Sequence, residues 1–494
     1  MDMTQGPIFS KIIVFALPLI FTNLLQMLYN AADMVVVGKF SGVDGAVGAI
    51  GSTGALLNLA TNIIIGFSTG ANVCVANALG SKDEARTRKA VHSSIFLGII
   101  FGLVGLVIGL TVTKPLLIWM KADPALLDMS VKYCQIVFLG VPFSTVLNYA
   151  ISILNAKGDT TTPLMILSSS GLLNVILNIA FVKGLGLNVE GVAIATVIAN
   201  IFSLAAVLIK LTRETGWCQL SFKKYRPDKD TALSIIKIGL PSGIQGTLFS
   251  LSNVFIQQAV NGFGAAVVTG NAIGGNLEGF AYTATNSIYR ASLAFTGQNM
   301  GAGKYKRLRK ITANSYLITF LVALVVCSFL YLFREPLAHL YMNDVTENAD
   351  IILNTVTLRF NMVITVYFLL SFMEVGAGIV TGMGKSLMAM IVSLLGACVF
   401  RVVWIMTIFE AVHELWVLYL SFSISWALTA LIHFICLSIM QRKLVKEHGD
   451  DDTPGGPDEA PNQQPDQQPA LSAEPEQEPE PTEQEEEPAV PVEA

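Results

Sequence analysis

Charged residues are scarce in this sequence. Asp, Glu, Lys and Arg make up 14% of the 494 residues, whereas apolar residues make up 53%. Soluble domains contain about 25% charged residues. Apolar runs recur along most of the chain, and runs of about 18 or more residues are long enough to span a bilayer. This pattern excludes a chain of soluble domains and predicts an all-α integral membrane protein.

The sequence also lacks common motifs of enzymes and metal sites. It contains no P-loop and no HExxH motif, so neither nucleotide hydrolysis nor a zinc-dependent reaction is predicted. The six cysteines form no CxxC pair and most lie in apolar runs, which indicates small core residues rather than disulfides or metal ligands. We predict a protein that is not an enzyme, has no cofactor and uses an ion gradient as its energy source.

The few charges are distributed unevenly. All 31 Lys and Arg residues lie before residue 450, whereas 15 of the 36 acidic residues lie in residues 450–494. Residues 449–494 are rich in Pro, Gln and Glu, so they cannot bury a core, and a disordered acidic tail is predicted. The basic excess of the remaining chain is typical of loops beside membrane spans, and nucleic-acid binding is not predicted.

The apolar runs predict twelve transmembrane helices. With the amino terminus placed in the cytoplasm, 21 Lys and Arg residues fall in inside segments and 6 in outside segments. This asymmetry follows the positive-inside rule and makes both termini cytoplasmic. The predicted spans are 12–37, 46–79, 91–113, 131–155, 163–182, 190–209, 232–260, 265–298, 311–333, 350–381, 386–409 and 414–440.

The twelve helices are predicted to form two parallel six-helix repeats. Pro18 and Pro241 are 223 residues apart, as are Phe40 and Phe263. Six is an even number, so both halves enter the membrane in the same sense, and in such transporters the substrate path lies between the lobes. The predicted units are an amino-terminal lobe at 1–210, a cytoplasmic linker at 211–231, a carboxyl-terminal lobe at 232–448 and the tail at 449–494.

The clearest candidate site is a polar stripe on the first predicted helix. An intramembrane carboxylate costs about 2.5–3.5 kcal/mol to insert, so this face should line a cavity or another helix. It is interpreted either as a proton or Na⁺ site or as a structural hydrogen-bond network, and Pro18 is expected to bend the helix. The stripe follows the i, i+3, i+4, i+7 spacing of one helix face: Gln26, Tyr29, Asn30 and Asp33.

Neutral polar residues on later helices are candidates to complete this site. Their amide and hydroxyl groups can join Asp33 around one ion or proton, although each alone is more often a hydrogen bond between helices. They are Asn148 in the fourth span, Asn174 and Asn178 in the fifth and Thr196 in the sixth.

The second half carries charges inside its predicted helices, which form a possible second site. Glu278 and Arg290 are too far apart on one helix to pair directly. Either Glu278 and Glu374 protonate during transport, or the charges compensate one another across helices and are purely structural. The possible second site comprises Asn276, Glu278 and Arg290 on the eighth span and Glu374 on the tenth. The further charges are Arg359, near the start of the tenth span, and Arg401 in the eleventh.

Several segments resemble the multidrug and toxic compound extrusion (MATE) family over about residues 8–445. The resemblance implies two six-helix lobes that form a V around a central cavity. It also implies a monomer in a bacterial plasma membrane that exports cationic amphipathic compounds, driven by H⁺ or Na⁺. The segments include QMLYNAAD, the following VVVGKF, ANALGSKDEARTRKAV, NAKGDTTTP, LLNVILNIAFVKGLGLNVEGVAIATVIAN and GQNMGAGKYKRLRK.

The resemblance also implies roles for single residues. The bent first helix and its carboxylate correspond to Pro18, Gln26, Tyr29 and Asp33, and the polar partners of the carboxylate correspond to Asn174 and Thr196. Two departures stand out. Asn178 occupies a position where many prokaryotic members have Asp, and the segment PSGIQGTLFSLSN lacks an acid that some branches carry there, for which Glu278 and Glu374 are the candidate substitutes.

The predicted mechanism is antiport by alternating access. A lipophilic cation enters the cavity while Asp33 is charged, and a proton or Na⁺ binding near Asp33 from the other side then displaces it. The main alternative is a lipid-linked oligosaccharide flippase of the same broad superfamily, which needs clustered arginines for a pyrophosphate. Arg290, Arg359 and Arg401 are scattered in the sequence, which favours the cationic substrate. A channel or sensor is a third interpretation, against which the two-lobe repeat argues.

Overall fold

The computed structural model describes residues 1–41, 46–119, 124–221, 226–342 and 348–448, except the side chains of Val47 and Ala55. The acidic tail predicted at 449–494 lies outside the described residues. Within them the regular elements are helices, without strands. This agrees with the all-α prediction, because a helix satisfies its own backbone hydrogen bonds inside a membrane.

Six long helices form the first half of the chain. A π-helical segment, Ala180–Gly184, extends the fifth of them. The helices are α1 (Ile8–Phe40), α2 (Ala46–Gly80), α3 (Glu84–Trp119), α4 (Pro124–Lys157), α5 (Thr161–Ile179) and α6 (Asn188–Arg213).

The second half has the same number of spans, but two of them are interrupted. The tenth span consists of α11 and α12 around a 3-10 turn at Ile364–Val366, and the eleventh consists of α13, α14 and α15 joined by the π-helical segments Leu394–Val399 and Ile405–Phe409. The helices are α7 (Lys229–Asn261), α8 (Ala265–Gly301), α9 (Tyr305–Leu332), α10 (Arg334–His339), α11 (Ala349–Met362), α12 (Phe368–Gly382), α13 (Ser386–Ser393), α14 (Phe400–Trp404), α15 (Glu410–Val412) and α16 (Leu415–His448).

The twelve predicted spans are confirmed. In the described part of the chain, ten helical stretches are long and apolar enough to cross a membrane. The remaining two spans are α7 and α8, which have 33 and 37 residues but contain no stretch that is as long and as apolar. Several helices extend beyond their predicted spans, because a helix does not stop where its apolar stretch ends; α9, for example, begins within the basic segment that precedes the span predicted at 311–333.

Local sequence explains where several helices start and stop. The carboxylates of Asp83, Asp159 and Asp228 accept hydrogen bonds from backbone N–H groups of the first turns of α3, α5 and α7, which are the donors that a helix start leaves unpaired. After α4 and α12, Gly158 and Gly384 have φ values of +86° and +78°, which favour glycine. These two glycines occupy corresponding places in the two halves.

The two halves contact each other mainly through α2. This helix packs along α7 and against α8, while the beginning of α1 packs against α8 and α9. Gly66 lies directly against the backbone of Gly243, so that a Cβ on Gly66 would overlap it. Such close approach of helix backbones at small residues is typical of packing inside membranes.

Helix α1 contacts both halves at different levels. Near its start, Phe15 packs edge-on against Phe295 of α8, with ring centroids 6.0 Å apart, and Ile12 belongs to the same apolar cluster. Nearer its end, α1 packs against α5. Between these regions α1 continues through Pro18, and the bend expected there stays a prediction.

The chain before α1 lies between the two halves. The backbone N–H of Met3 donates to Oε1 of Gln298, and Nε2 of Gln298 donates to the carbonyl of Ala156 at the end of α4. Nζ of Lys304 donates to the carbonyl of Thr4. Tyr305, next to this segment, contacts His448 at the end of α16, so residues 1–7 and the end of α16 lie on the same side of the molecule.

Candidate functional site

Four polar residues from three helices form a continuous hydrogen-bonded chain. Nδ2 of Asn178 donates to Oδ1 of Asp33 over 2.5 Å and to Oδ1 of Asn174 over 3.2 Å. Nδ2 of Asn174 in turn donates to Oγ1 of Thr196 over 3.3 Å. We call Asp33, Asn178, Asn174 and Thr196 the Asp33 chain. It joins α1, α5 and α6, because Asn174 and Asn178 are one turn apart on the face of α5 that meets α1 and α6.

The carboxylate of the Asp33 chain has no cationic partner in the described part of the chain. Among the described residues, no Lys, Arg or His forms an ion pair with Asp33, and its hydrogen-bond donor is the neutral amide of Asn178. Asn174 and Asn178 are buried, and Oδ1 of Asn178 has no hydrogen-bond partner in the described part. A partly buried carboxylate surrounded by neutral groups gains most from binding a proton or a small cation.

The rest of the predicted stripe serves other contacts. The Tyr29 hydroxyl donates to the carbonyl of Ser168 over 3.1 Å, and its ring covers Gly171, where a Cβ would overlap the ring. Tyr29 therefore anchors α1 to α5. Gln26 and Asn30 are exposed, and within the described residues no hydrogen bond joins either to the Asp33 chain.

Asn148 lies outside the Asp33 chain. Its Nδ2 donates to the carbonyl of Ser144 in its own helix, over 2.8 Å. In the described structure, no hydrogen bond connects it to the chain. The amide of Asn148 binds the backbone of its own helix. The prediction that Asn148 joins Asp33 is therefore not supported by a contact.

The second half contains a buried ion pair. Oε2 of Glu278 lies 2.5 Å from Nη2 and 3.2 Å from Nε of Arg359. The two side chains are 13% and 10% exposed, so the pair is largely shielded from water. Nη1 of Arg359 and the hydroxyl of Tyr419 both donate to Oδ1 of Asn271, over 2.7 and 3.0 Å. Glu278 is thus tied into a network that joins α8, α11 and α16.

Glu374 is held differently. Nδ2 of Asn286 donates to Oε2 of Glu374 over 3.2 Å, and Nε of Arg290 donates to Oδ1 of Asn286 over 3.4 Å. The amide of Asn286 therefore separates the carboxylate from the guanidinium. Glu278 and Arg290 do not pair, as predicted, and among the described residues Glu374 forms no ion pair.

Arg359 and Arg401 converge, although the sequence scatters them. Their guanidinium carbons lie 5.6 and 4.5 Å from the centroid of the Phe422 ring. Nε of Arg401 also donates to Oγ of Ser425 over 2.9 Å. The expectation that these arginines are scattered was wrong, because α11 and α14 both pack against α16. Asn271 binds Arg359, and both arginines lie beside the ring of Phe422. Neither Asn271 nor Phe422 belongs to a sequence pattern that predicts these contacts.

Two neighbouring cavities lie where the halves meet. The larger, of about 600 Å³, is lined mostly by the second half together with Asn62 of α2. The smaller, of about 210 Å³, is lined by both halves and shares Asn62, Tyr282 and Glu374 with the larger one. Asn276, Glu278 and the two arginines beside Phe422 line the larger cavity and Arg290 lines the smaller. The described lining of neither cavity includes Asp33.

Both halves of the chain match the same family model. The MatE family model matches residues 18–180 and, a second time, residues 241–407. The chain belongs to the MatE family. The two matches begin at Pro18 and Pro241, the pair that indicated the internal repeat, and they confirm the predicted MATE resemblance.

Two bacterial relatives have names that refer to multidrug resistance or export. The chain is 25% identical to the probable multidrug resistance protein YoeA of Bacillus subtilis over 348 residues, which cover 69% of this chain and 75% of that protein. It is 23% identical to the multidrug export protein MepA of Staphylococcus aureus over 444 residues, which cover 89% and 96% of the two chains. These matches support a multidrug efflux transporter of the membrane.

Solved structures of the family share the fold. A transporter of the MOP superfamily from Pyrococcus furiosus superposes with a TM-score of 0.83 at 19% identity, over 90% of this chain and 98% of that one. A structure described as the outward-facing conformation of a multidrug resistance MATE family transporter gives a TM-score of 0.82. These similarities confirm the predicted two-lobed MATE fold.

Proposed function

We propose that this MatE protein is an antiporter that exports cationic amphipathic compounds in exchange for a proton or Na⁺ that binds at Asp33. The observation that carries this proposal is the absence of any cationic partner for Asp33 among the described residues, while Asn178 and Asn174 supply neutral hydrogen bonds. A carboxylate in that setting can gain and lose a positive ion without stranding a buried cation. Both termini are proposed to face the cytoplasm of a bacterial plasma membrane.

The cavities supply the substrate site in this proposal. Glu374 lines both cavities and is held by a neutral amide, so its charge is available to a cation. The neighbouring ring of Tyr282 lines both cavities too, and aromatic faces attract cations. The volume of about 600 Å³ is in the range of cavities that bury drug-sized compounds, roughly 300–1,000 Å³.

Helix α1 links the ion site to the movement of the lobes. It is anchored to α5 through Tyr29, four residues before Asp33, and packs with Phe15 on Phe295 of the second half. An ion that binds Asp33 changes the contact between α1 and α5 and thereby the position of α1 between the halves. Antiport then requires that the ion bind the two conformations of the protein with different affinities.

Efflux of ethidium from proteoliposomes under separately imposed H⁺ and Na⁺ gradients tests the proposal. One gradient is expected to drive efflux. Asp33→Asn should reduce gradient-driven efflux by about tenfold or more, which corresponds to the usual size of a coupling between two sites. Asn30→Ala, an exposed change on the same helix, serves as the matched control and should leave efflux unchanged. If neither gradient drives efflux, or if Asp33→Asn transports normally, the proposal is wrong.

A further inference from the structure

Arg401 is a buried cation that no carboxylate of the described residues pairs with. It is 3% exposed, and its Nε donates a hydrogen bond to Oγ of Ser425. Its Nη2 is buried and has no hydrogen-bond partner among the described residues, and no carboxylate there forms an ion pair with it. Arg359, a neighbour around the same ring, differs because it has both Glu278 and Asn271.

The free-energy cost of burying the Arg401 guanidinium is only partly offset by its neighbours. A guanidinium keeps its charge in proteins and carries five N–H donors in a planar fork. Burying such a group without an anion or a full set of acceptors is costly. The rings of Phe422 and Trp426, 4.5 and 5.6 Å from the guanidinium carbon, offset part of that cost through cation–π attraction, but they accept no N–H bond in the plane of the fork.

The geometry points to an anion subsite at Arg401 in the larger cavity, and we propose that it takes the carboxylate of an aromatic compound. Arg401, Phe422 and Trp426 all line the cavity of about 600 Å³, so a ligand there meets the cation and two aromatic faces together. An arginine N–H group that donates to a carboxylate forms a charge-assisted hydrogen bond, which is stronger than a bond between neutral groups.

The charges around Phe422 favour an anion at this end of the cavity. Arg359 and Arg401 place two positive charges beside the ring, and Glu278 neutralises one of them through its ion pair. One positive charge remains. Glu374 binds Asn286, and among the described residues it makes no ion pair with Arg401. A cationic ligand is therefore disfavoured next to Phe422, and the cationic substrate proposed above is placed beside Glu374 and Tyr282, which also line this cavity.

Three naphthyl probes of similar size but different charge test the subsite on the purified full-length protein. Equilibrium dialysis compares 1-naphthoate, the neutral 1-naphthylmethanol and the cationic 1-naphthylmethylammonium. We expect 1-naphthoate to bind at least about tenfold more tightly than the alcohol, as one charge-assisted hydrogen bond allows. Equal or weaker binding of 1-naphthoate overturns the proposal. No gradient is applied, so this result is independent of the antiport proposed above.

Two substitutions locate the subsite. Arg401→Gln should abolish the preference for 1-naphthoate, whereas Arg290→Gln, which removes a cation from the smaller cavity, should keep it. Trp426→Leu leaves the charges intact and should weaken all naphthyl probes severalfold, so it tests the position even if Arg401→Gln does not yield monodisperse protein. The proposal is overturned if Arg401→Gln keeps the preference, or if Trp426→Leu binds 1-naphthoate as the unmodified protein does.

Discussion

The two halves of this MatE protein share a fold but handle buried charge in opposite ways. In the first half, Asp33 is a single carboxylate held by the amide of Asn178. In the second half, Glu278 is bound by Arg359 over 2.5 Å. Protonation of Asp33 strands no cation, whereas protonation of Glu278 leaves Arg359 buried without its partner. The comparison indicates that an ion-exchanging group must be a carboxylate whose neighbours are neutral.

The second repeat has no carboxylate at the position that corresponds to Asp33, so the two halves share the fold but not this site. The offset of 223 residues that relates Pro18 to Pro241 places Ile256 at the position that corresponds to Asp33. Ile256 is buried in the apolar cluster of the second half and also lines its cavity. The charges of the second half lie instead on α8, α11, α12 and α14, and their contacts therefore have no counterpart around Asp33.

Stability should distinguish the two halves most strongly. Glu278→Gln removes the charge that compensates Arg359, and loss of one partner of a buried ion pair destabilises a protein by about 3–5 kcal/mol. Asp33→Asn strands no cation and should lower the free energy of unfolding by about 1 kcal/mol or less. Unfolding by SDS in mixed micelles measures both changes.

The double variant Glu278→Gln with Arg359→Gln serves as the control for this comparison. It removes the stranded charge, so it should recover part of the stability that Glu278→Gln loses. Equal losses for Glu278→Gln and Asp33→Asn would show that the two carboxylates are held in the same way, and the comparison would fail.

Local spacing made half of the candidate site predictable. Asn174 and Asn178 are four residues apart, so they had to share a face of one helix, and their resemblance to MATE positions placed them near Asp33. The twelve spans were predictable for a similar reason, since an apolar run and its flanking charges are local features. Even α7 and α8, which contain no long stretch as apolar as those of the other spans, were located between predicted loops.

The pairs in the second half were not predictable because they depend on how distant helices pack. Glu278 and Arg359 are 81 residues apart in sequence, and nothing local relates α8 to α11. The same holds for Arg401, whose approach to Phe422 follows from the packing of α14 on α16. Asn148 shows the converse, because its polarity suggested a site whereas its amide binds its own helix.

A second carboxylate in the Asp33 chain should strengthen cation binding. Asn178→Asp places a negative charge within hydrogen-bond distance of Asp33, and two such carboxylates cannot both ionise unless a cation lies between them. We expect Na⁺ to bind about tenfold more tightly, which is about 1.4 kcal/mol. Thermal unfolding in NaCl and in choline chloride measures the gain, since a ligand of the folded state stabilises it.

Asn148→Asp is the matched control for this prediction. It adds the same charge to α4, where Asn148 binds Ser144 of its own helix, and it should give no stabilisation specific to Na⁺. If both variants respond alike, the effect comes from added charge in general, and the Asp33 chain is not a preferred cation site.

The smallest effect is expected from the neutral end of the Asp33 chain. Asn174→Ala removes the acceptor that orients Asn178 and the donor to Thr196. A hydrogen bond between membrane helices contributes about 0.6 kcal/mol on average, so the loss of stability should be about 1 kcal/mol. Asn148→Ala deletes the same amide outside the chain, where it bonds within one helix, and should change stability less.

SDS unfolding and ethidium efflux, measured on both variants, test whether only Asn174 belongs to the ion site. If Asn148→Ala impairs efflux as much as Asn174→Ala does, Asn148 of α4 belongs to the ion site, and the site is larger than the four residues of the Asp33 chain.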